Sequence, residues 1–300
     1  MIHHKAQKNF SVAELRDFFI LLKPRVMALV VFTGFCGMMI APGTIHPFLG
    51  FVAIACLALG TGAAGALNMW YDRDIDRLMH RTEKRPLPAG RMQPEEALSF
   101  GIILSIFSVM LMGLAAGWQT ACLLAGAISF YVFIYTIWLK RRTPQNIVIG
   151  GAAGAFPPLI GWVAVTGSVD SVPLILFLLI FLWTPPHFWA LALYRQDDFR
   201  KANLPMMPMV KGEGITTRHM LYYAVALFLT SLLPPFFGVG GYIYMIVALS
   251  LGGIFVYLCW HLYKNPGHLM WAQKLFTFSI IYLFLLFTVL VIDQKSFYPF

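Results

Sequence analysis

Asn68, Asp72 and Asp76 follow one another at intervals of four residues, where an apolar run of the chain gives way to charge. On a helix that continues through them the three side chains form one stripe, drifting only about 40° per step. Two carboxylates and an amide then face the same space. Mg2+ takes oxygen ligands, keeps several waters, and is commonly held by one or two carboxylates together with the phosphates of a substrate. Asp72 and Asp76 supply that arrangement. Arg77, Arg81, Lys84 and Arg85 crowd the segment that follows, before Pro86 and Pro88, and such cations match phosphate oxygens. Acids for a metal beside bases for phosphate describe a metal–diphosphate site. The alternative is a solvated loop whose acids offset nearby arginines, and the regular spacing beside a proline-bracketed basic loop weighs against it.

A second charged segment runs Tyr194-Arg195-Gln196-Asp197-Asp198-Phe199-Arg200-Lys201-Ala202-Asn203. Neighbours on a helix point about 100° apart, so Asp197 and Asp198 address different directions. Asp198 shares a face with Tyr194 and Lys201. The expected division gives Asp198 a second Mg2+ and Lys201 the diphosphate, with Asp197 outside.

A membrane must position these groups. Residues of the set AVILMFWYC make up 59% of the chain and charged residues 12%, about half the ~25% of a soluble domain. Mean hydropathy is +0.73. A soluble fold of this size cannot hide so much apolar surface, which excludes a soluble enzyme, a disordered tail and a secreted disulfide scaffold. Spanning takes about 20 apolar residues, and such runs recur near 24–42, 48–69, 97–117, 119–139, 146–166, 172–194, 219–238, 241–262 and 275–292. Turn formers separate them at Pro42-Gly43, Gly117-Trp118, Gly167-Ser168 and Gly240-Gly241. The expected fold is all-α, a polytopic integral membrane protein with about nine transmembrane helices surrounding a central cavity, residues 1–300 forming one domain. Four cysteines sit singly in apolar runs, as small core residues do.

The net charge of +9 would suit nucleic acid if it covered one face of a soluble domain. Its placement is topological instead. Under these spans, 21 of the 22 Lys and Arg residues fall in alternate connections, and only Lys295 lies on the other side. Basic residues accumulate in cytoplasmic loops, so the reading is a cytoplasmic N-terminus, a periplasmic C-terminus and no nucleic-acid partner. The opening residues have no apolar h-region, and Glu14 and Asp17 argue against a transit peptide. A bacterial inner membrane, with lipid as the surrounding partner, is expected.

Asn68-x3-Asp72-x3-Asp76 after the second span, with a second acidic loop after the sixth, resembles the intramembrane prenyltransferase superfamily that includes the ubiquinone-pathway aromatic prenyltransferases. Further segments resemble its branch that farnesylates protohaem IX. They are Lys23-Pro24-Arg25-Val26, Asn68 through Asp76, Arg85-Pro86-Leu87-Pro88, Thr143 to Asn146 with Gly150 to Pro158, Trp183 to Trp189, and Tyr194 to Asp198. The resemblance implies that farnesyl diphosphate ionises and that a haem B vinyl group attacks the allylic cation. Water then completes a hydroxyethylfarnesyl substituent, giving haem O. It implies Mg2+ as cofactor on Asp72, Asp76 and Asp198. Lys201 joins them in catalysis. It implies substrate contacts from Asn68, Arg77, Arg81, Arg85, Tyr194, His187, Asn146, Lys23 and Arg25, and hand-off of product to a haem A synthase or terminal oxidase.

Many members of that superfamily carry a second Asp in the later loop where this chain has Ala202. That departure implies a weaker or differently built second metal site. His187 follows Pro185 and Pro186, two prolines expected to break the helix and open an irregular cavity-lining stretch. An ionisable group inside a span is a candidate for function, here haem-iron ligation or proton handling, against a neutral histidine bonded to a freed carbonyl. A prenyltransferase acting on a quinone precursor or another aromatic acceptor would share the diphosphate site, but the segments around His187 and Asn146 disfavour it. A transporter would place its site on broken helices near mid-membrane, without a basic diphosphate clamp.

Overall fold

The computed structural model describes residues 13–297, and all their regular structure is helical. Lys5 and Lys8, counted above among the basic residues before the first span, lie outside the described residues. The chain enters by a short helix, α1 (Leu15–Leu21), and bends by 54° into α2 (Pro24–Ile40). There follow α3 (Pro47–Tyr71), α4 (Arg73–Asp76), α5 (Pro94–Ala116) and α6 (Trp118–Ser129), the last running directly into a π-helix at Phe130–Leu139. The second half holds α7 (Asn146–Thr166), α8 (Ser171–Tyr194), α9 (Gln196–Lys201), α10 (Met207–Lys211), α11 (Glu213–Ser231), α12 (Tyr242–Lys264) and α13 (Leu269–Phe297). Among the described residues, eight segments are long and apolar enough to cross a membrane, and the α1–α2 pair raises the number to nine if it counts as one span.

Local chemistry sets the ends of these helices. Pro24, Pro47 and Pro94 occupy first turns, where their missing N–H costs nothing. Gln93 and Glu96 close a reciprocal capping box on α5. Gly117 and Gly167 turn the chain with φ of +86° and +70°, a backbone that side chains resist.

Lipid tails are as apolar as leucine, so helices in a membrane associate through close packing more than through the hydrophobic effect. The tightest crossing here joins α2 to α7: a Cβ on Gly161 would fall 1.9 Å from the Gly34 carbonyl oxygen, and one on Gly37 would fall 2.2 Å from that of Pro158. Around this crossing, α3 pairs with α5, α7 with α8, α8 with α11 and α13, and α13 returns to α2. The start of α2, the ends of α3, of the π-helix and of α8, and the start of α7 thus all lie at one end of the bundle.

One expectation fails here. α8 is helical throughout Ser171–Tyr194, straight through Pro185 and Pro186, so His187 does not lie on a broken, irregular stretch. Prolines are tolerated inside membrane helices that are packed among neighbours. Thr184 donates its hydroxyl to the Ile180 carbonyl at 2.8 Å, and the Trp183 indole donates to the Ser279 carbonyl at 2.8 Å, tying this part of α8 to α13.

Candidate active site

Asp72 sits at the join between α3 and α4. Its N–H still donates to the Asn68 carbonyl at 2.9 Å, and the Asp76 N–H to the Asp72 carbonyl at 2.8 Å. The helical course therefore survives the join, and the stripe survives with it: Asn68, Asp72 and Asp76 are buried, while Asp74 between them is exposed.

Asn68 links three elements. Its Oδ1 accepts from Lys23 Nζ at 2.7 Å, and its Nδ2 donates to the Asp72 carboxylate at 2.8 Å and to Thr136 Oγ1, on the π-helix, at 3.1 Å. Lys23 arrives from the hinge between α1 and α2 in a left-handed conformation, with φ of +52°, which for a lysine costs roughly 1 kcal/mol or more. The hinge rests on α3 where a Cβ at Gly62 would meet the Leu22 side chain at 2.8 Å.

Each acid of the first segment has a cation. Lys140 Nζ, just beyond the π-helix, pairs with Asp72. Arg85 Nη1 lies 2.7 Å from Asp76 Oδ2. Arg141 grips Asp74 with both terminal nitrogens at 2.7 Å, and these hydrogen bonds hold the Asp74 carboxyl below the usual carboxylate range. The second acidic segment joins the first through Asp198, which is buried and accepts from the His80 N–H at 3.3 Å. Arg81 stands within electrostatic reach of both Asp76 and Asp198. Asp197 is exposed. Ala202 is buried in an apolar cluster with Ile75, Met79 and Phe199, where a second carboxylate would have no polar company.

Other expected site residues stand further out. Arg25, Arg77 and Lys201 are exposed, and among the described residues no ion pair ties them to a carboxylate. Tyr194 is half-buried, edge-on to Phe276 at 5.8 Å. Asn146 turns back on its own loop, donating to the Thr143 carbonyl at 2.6 Å and the Lys140 carbonyl at 3.4 Å, while its buried Oδ1 has no partner. It thereby braces the turn that carries Lys140 and Arg141. His187 is stacked between Trp183 at 4.3 Å and Phe276 at 4.6 Å, with Nδ1 2.6 Å from Ser279 Oγ. Its partner is a hydroxyl on α13, not a freed carbonyl of α8.

Lys140, Arg141 and Thr136 escape the sequence reading. Lys140 and Arg141 pass there as topological charge, and the residues they reach lie 67 or more positions away. Only the polar Thr136 in an otherwise apolar run offers a signal.

The donor set suits Mg2+. Among the described residues no group of three or more His, Cys, Asp or Glu forms a complete metal cage. Two buried carboxylates beside an amide, ringed by cations, leave the remaining oxygens to water and phosphate.

An all-helical intramembrane bundle with paired acids and a crowd of bases at one end defines an intramembrane prenyltransferase. The chain belongs to the UbiA prenyltransferase family, whose pattern matches residues 30–289. It is 56% identical over 291 residues to the protoheme IX farnesyltransferase of Rhizobium etli strain CFN 42, covering 96% of this chain and 92% of that protein. Against the protoheme IX farnesyltransferase of Parvibaculum lavamentivorans it is 56% identical over 287 residues, covering 95% and 90%. Among solved structures, a digeranylgeranylglyceryl phosphate synthase has a TM-score of 0.79 at 20% identity, covering 94% of this chain and 99% of that one. A UbiA homologue from Archaeoglobus fulgidus bound to DMAPP and Mg2+ has a TM-score of 0.65 at 17% identity, covering 91% and 100%. These structural likenesses establish the fold.

Proposed function

We propose that this protein transfers the farnesyl group of farnesyl diphosphate to a vinyl group of protohaem IX, releasing diphosphate and giving haem O. The observation that carries the chemistry is the buried Asn68–Asp72–Asp76 stripe whose two carboxylates each meet a cation. The acceptor is supported by relatives named protoheme IX farnesyltransferase that match almost the whole chain.

Asp72 and Asp76, with Asp198 across from them, would hold Mg2+, whose chemistry there is to neutralise charge on the departing diphosphate. Lys23, Lys140, Arg81 and Arg85 bind the diphosphate oxygens, and Asn68 orients Lys23 against Asp72. The allylic C–O bond breaks with its electron pair leaving on diphosphate. The haem vinyl group attacks the freed carbon, and water adds to the resulting cation with loss of a proton. Until that last step the apolar walls of the bundle keep water from the carbocation. Asn146 supports this arrangement from behind the Lys140–Arg141 turn, and His187 acts on the acceptor side. The protein lies in a bacterial inner membrane with its N-terminus cytoplasmic, and passes haem O to a haem A synthase or terminal oxidase.

Pigment extracted from membranes with and without the protein tests this reading. Haem O, identified by mass, should accumulate only with the active protein and farnesyl diphosphate. A prenylated quinone precursor in its place would move the acceptor to the aromatic class.

A further inference from the structure

Asp72 is contested by two neighbouring cations. Its carboxylate already receives Asn68 Nδ2 at 2.8 Å and the Lys140 ammonium, while Arg141 Nη2 stands 3.5 Å from its Oδ1. What keeps Arg141 at that distance is visible. Its fork is taken by Asp74, with two contacts of 2.7 Å, and the same Nη2 donates to the Tyr71 carbonyl at 3.2 Å. The guanidinium lies over the Tyr71 ring at 4.8 Å.

An ion pair this exposed contributes little to folding: the Asp74 side chain is 60% accessible, and such pairs are weak in water. Its geometry is nevertheless well defined, because a planar guanidinium meets a carboxylate in one bidentate arrangement. The pair's consequence is local. With the Asp74 carboxylate in place, Arg141 spends its fork there and reaches Asp72 only by the single 3.5 Å contact. With that carboxylate replaced by an amide, the nearest carboxylate for the whole fork is Asp72, where it would compete directly with a metal ion for the same oxygens.

We propose that Asp74 is a positioning residue that limits Arg141 to one long contact with Asp72, so that the Asp72 carboxylate stays available to a divalent cation. The inference rests on the reading of Asp72 as a Mg2+ ligand.

The test titrates Mn2+, read by electron paramagnetic resonance, into the purified full-length protein in lipid nanodiscs with a slowly reacting farnesyl thiodiphosphate. Asp74→Asn should raise the Mn2+ concentration for half-saturation about tenfold, the lower end of what outer partners of metal ligands cost. Adding Arg141→Gln to Asp74→Asn should bring the midpoint back close to wild type, because the competing cation is gone. A merely structural role for the pair would leave the double variant at least as impaired as the single one. An unchanged midpoint in Asp74→Asn, or no recovery in the double variant, would overturn the proposal. Loss of the Asp72 reading itself would look different: Asp72→Asn would then bind Mn2+ as the wild type does.

Discussion

At the scale of single residues, the stripe makes a ranking. Asp72→Asn and Asp76→Asn replace buried carboxylates with amides that hold Mg2+ poorly against water. Each should lower turnover by about 100-fold or more, the scale of losing one stabiliser of a leaving charge, with the protein still folded. Asp74→Asn should be much milder at saturating Mg2+, since Asp74 is exposed and reaches the site only through Arg141. Equal damage from Asp74→Asn and Asp72→Asn in a membrane assay at saturating Mg2+ would refute the single-face arrangement. His187 stands apart from the stripe, because Trp183, Phe276 and Ser279 enclose it between α8 and α13. With an acceptor-side role, His187→Ala should impair haem farnesylation per folded molecule and leave Mg2+-dependent farnesyl diphosphate binding nearly intact. A role limited to the bond with Ser279, whose hydroxyl keeps its own bond to the Phe276 carbonyl, would instead cost roughly 1 kcal/mol of stability, with specific activity preserved. Measuring product per folded enzyme beside farnesyl diphosphate affinity separates the two.

At the scale of elements, the α2–α7 crossing fixes where the two helix starts near the site stand. Gly161→Ala would drive a methyl group into the Gly34 carbonyl, a backbone atom that cannot rotate away. The expected cost is about 1–3 kcal/mol or more, as for other overpacked contacts, read as a lower unfolding temperature in detergent. Gly154→Ala is the control, since no atom lies within 4 Å of its added Cβ; equal stability of the two variants would show that the crossing yields. The spans themselves were legible because about 20 apolar residues are a strong and purely local signal, and the run expected at 146–166 coincides with α7 (Asn146–Thr166). The stripe was legible for the same reason, being three residues on one helical period. α8 was misjudged at Pro185-Pro186 because sequence shows the lost donors but not the packing of α8 among α7, α11 and α13 that encloses it there. Lys140 was illegible as a site residue because its partner Asp72 is 68 positions away and only the fold brings them together.

At the scale of the whole molecule, the number of crossings decides whether the two chain ends lie on the same side of the membrane. Eight helices qualify alone, and eight crossings would put both chain ends on one side. The basic residues choose nine. With α2 counted as a span, 21 of 22 Lys and Arg residues occupy one side, whereas omitting it would divide Lys23 and the residues before it from the rest. The Lys23–Asn68 bond supports the same count, since it sets the start of α2 beside the end of α3. The proposed cytoplasmic N-terminus rests on the positive-inside bias, and nine crossings would carry the C-terminus to the periplasm. An alkaline phosphatase reporter fused after residue 300 should therefore be active and a fluorescent protein that folds only in the cytoplasm should be dark. The reverse pattern would place the basic connections, and the site with them, outside the cytoplasm and overturn this orientation.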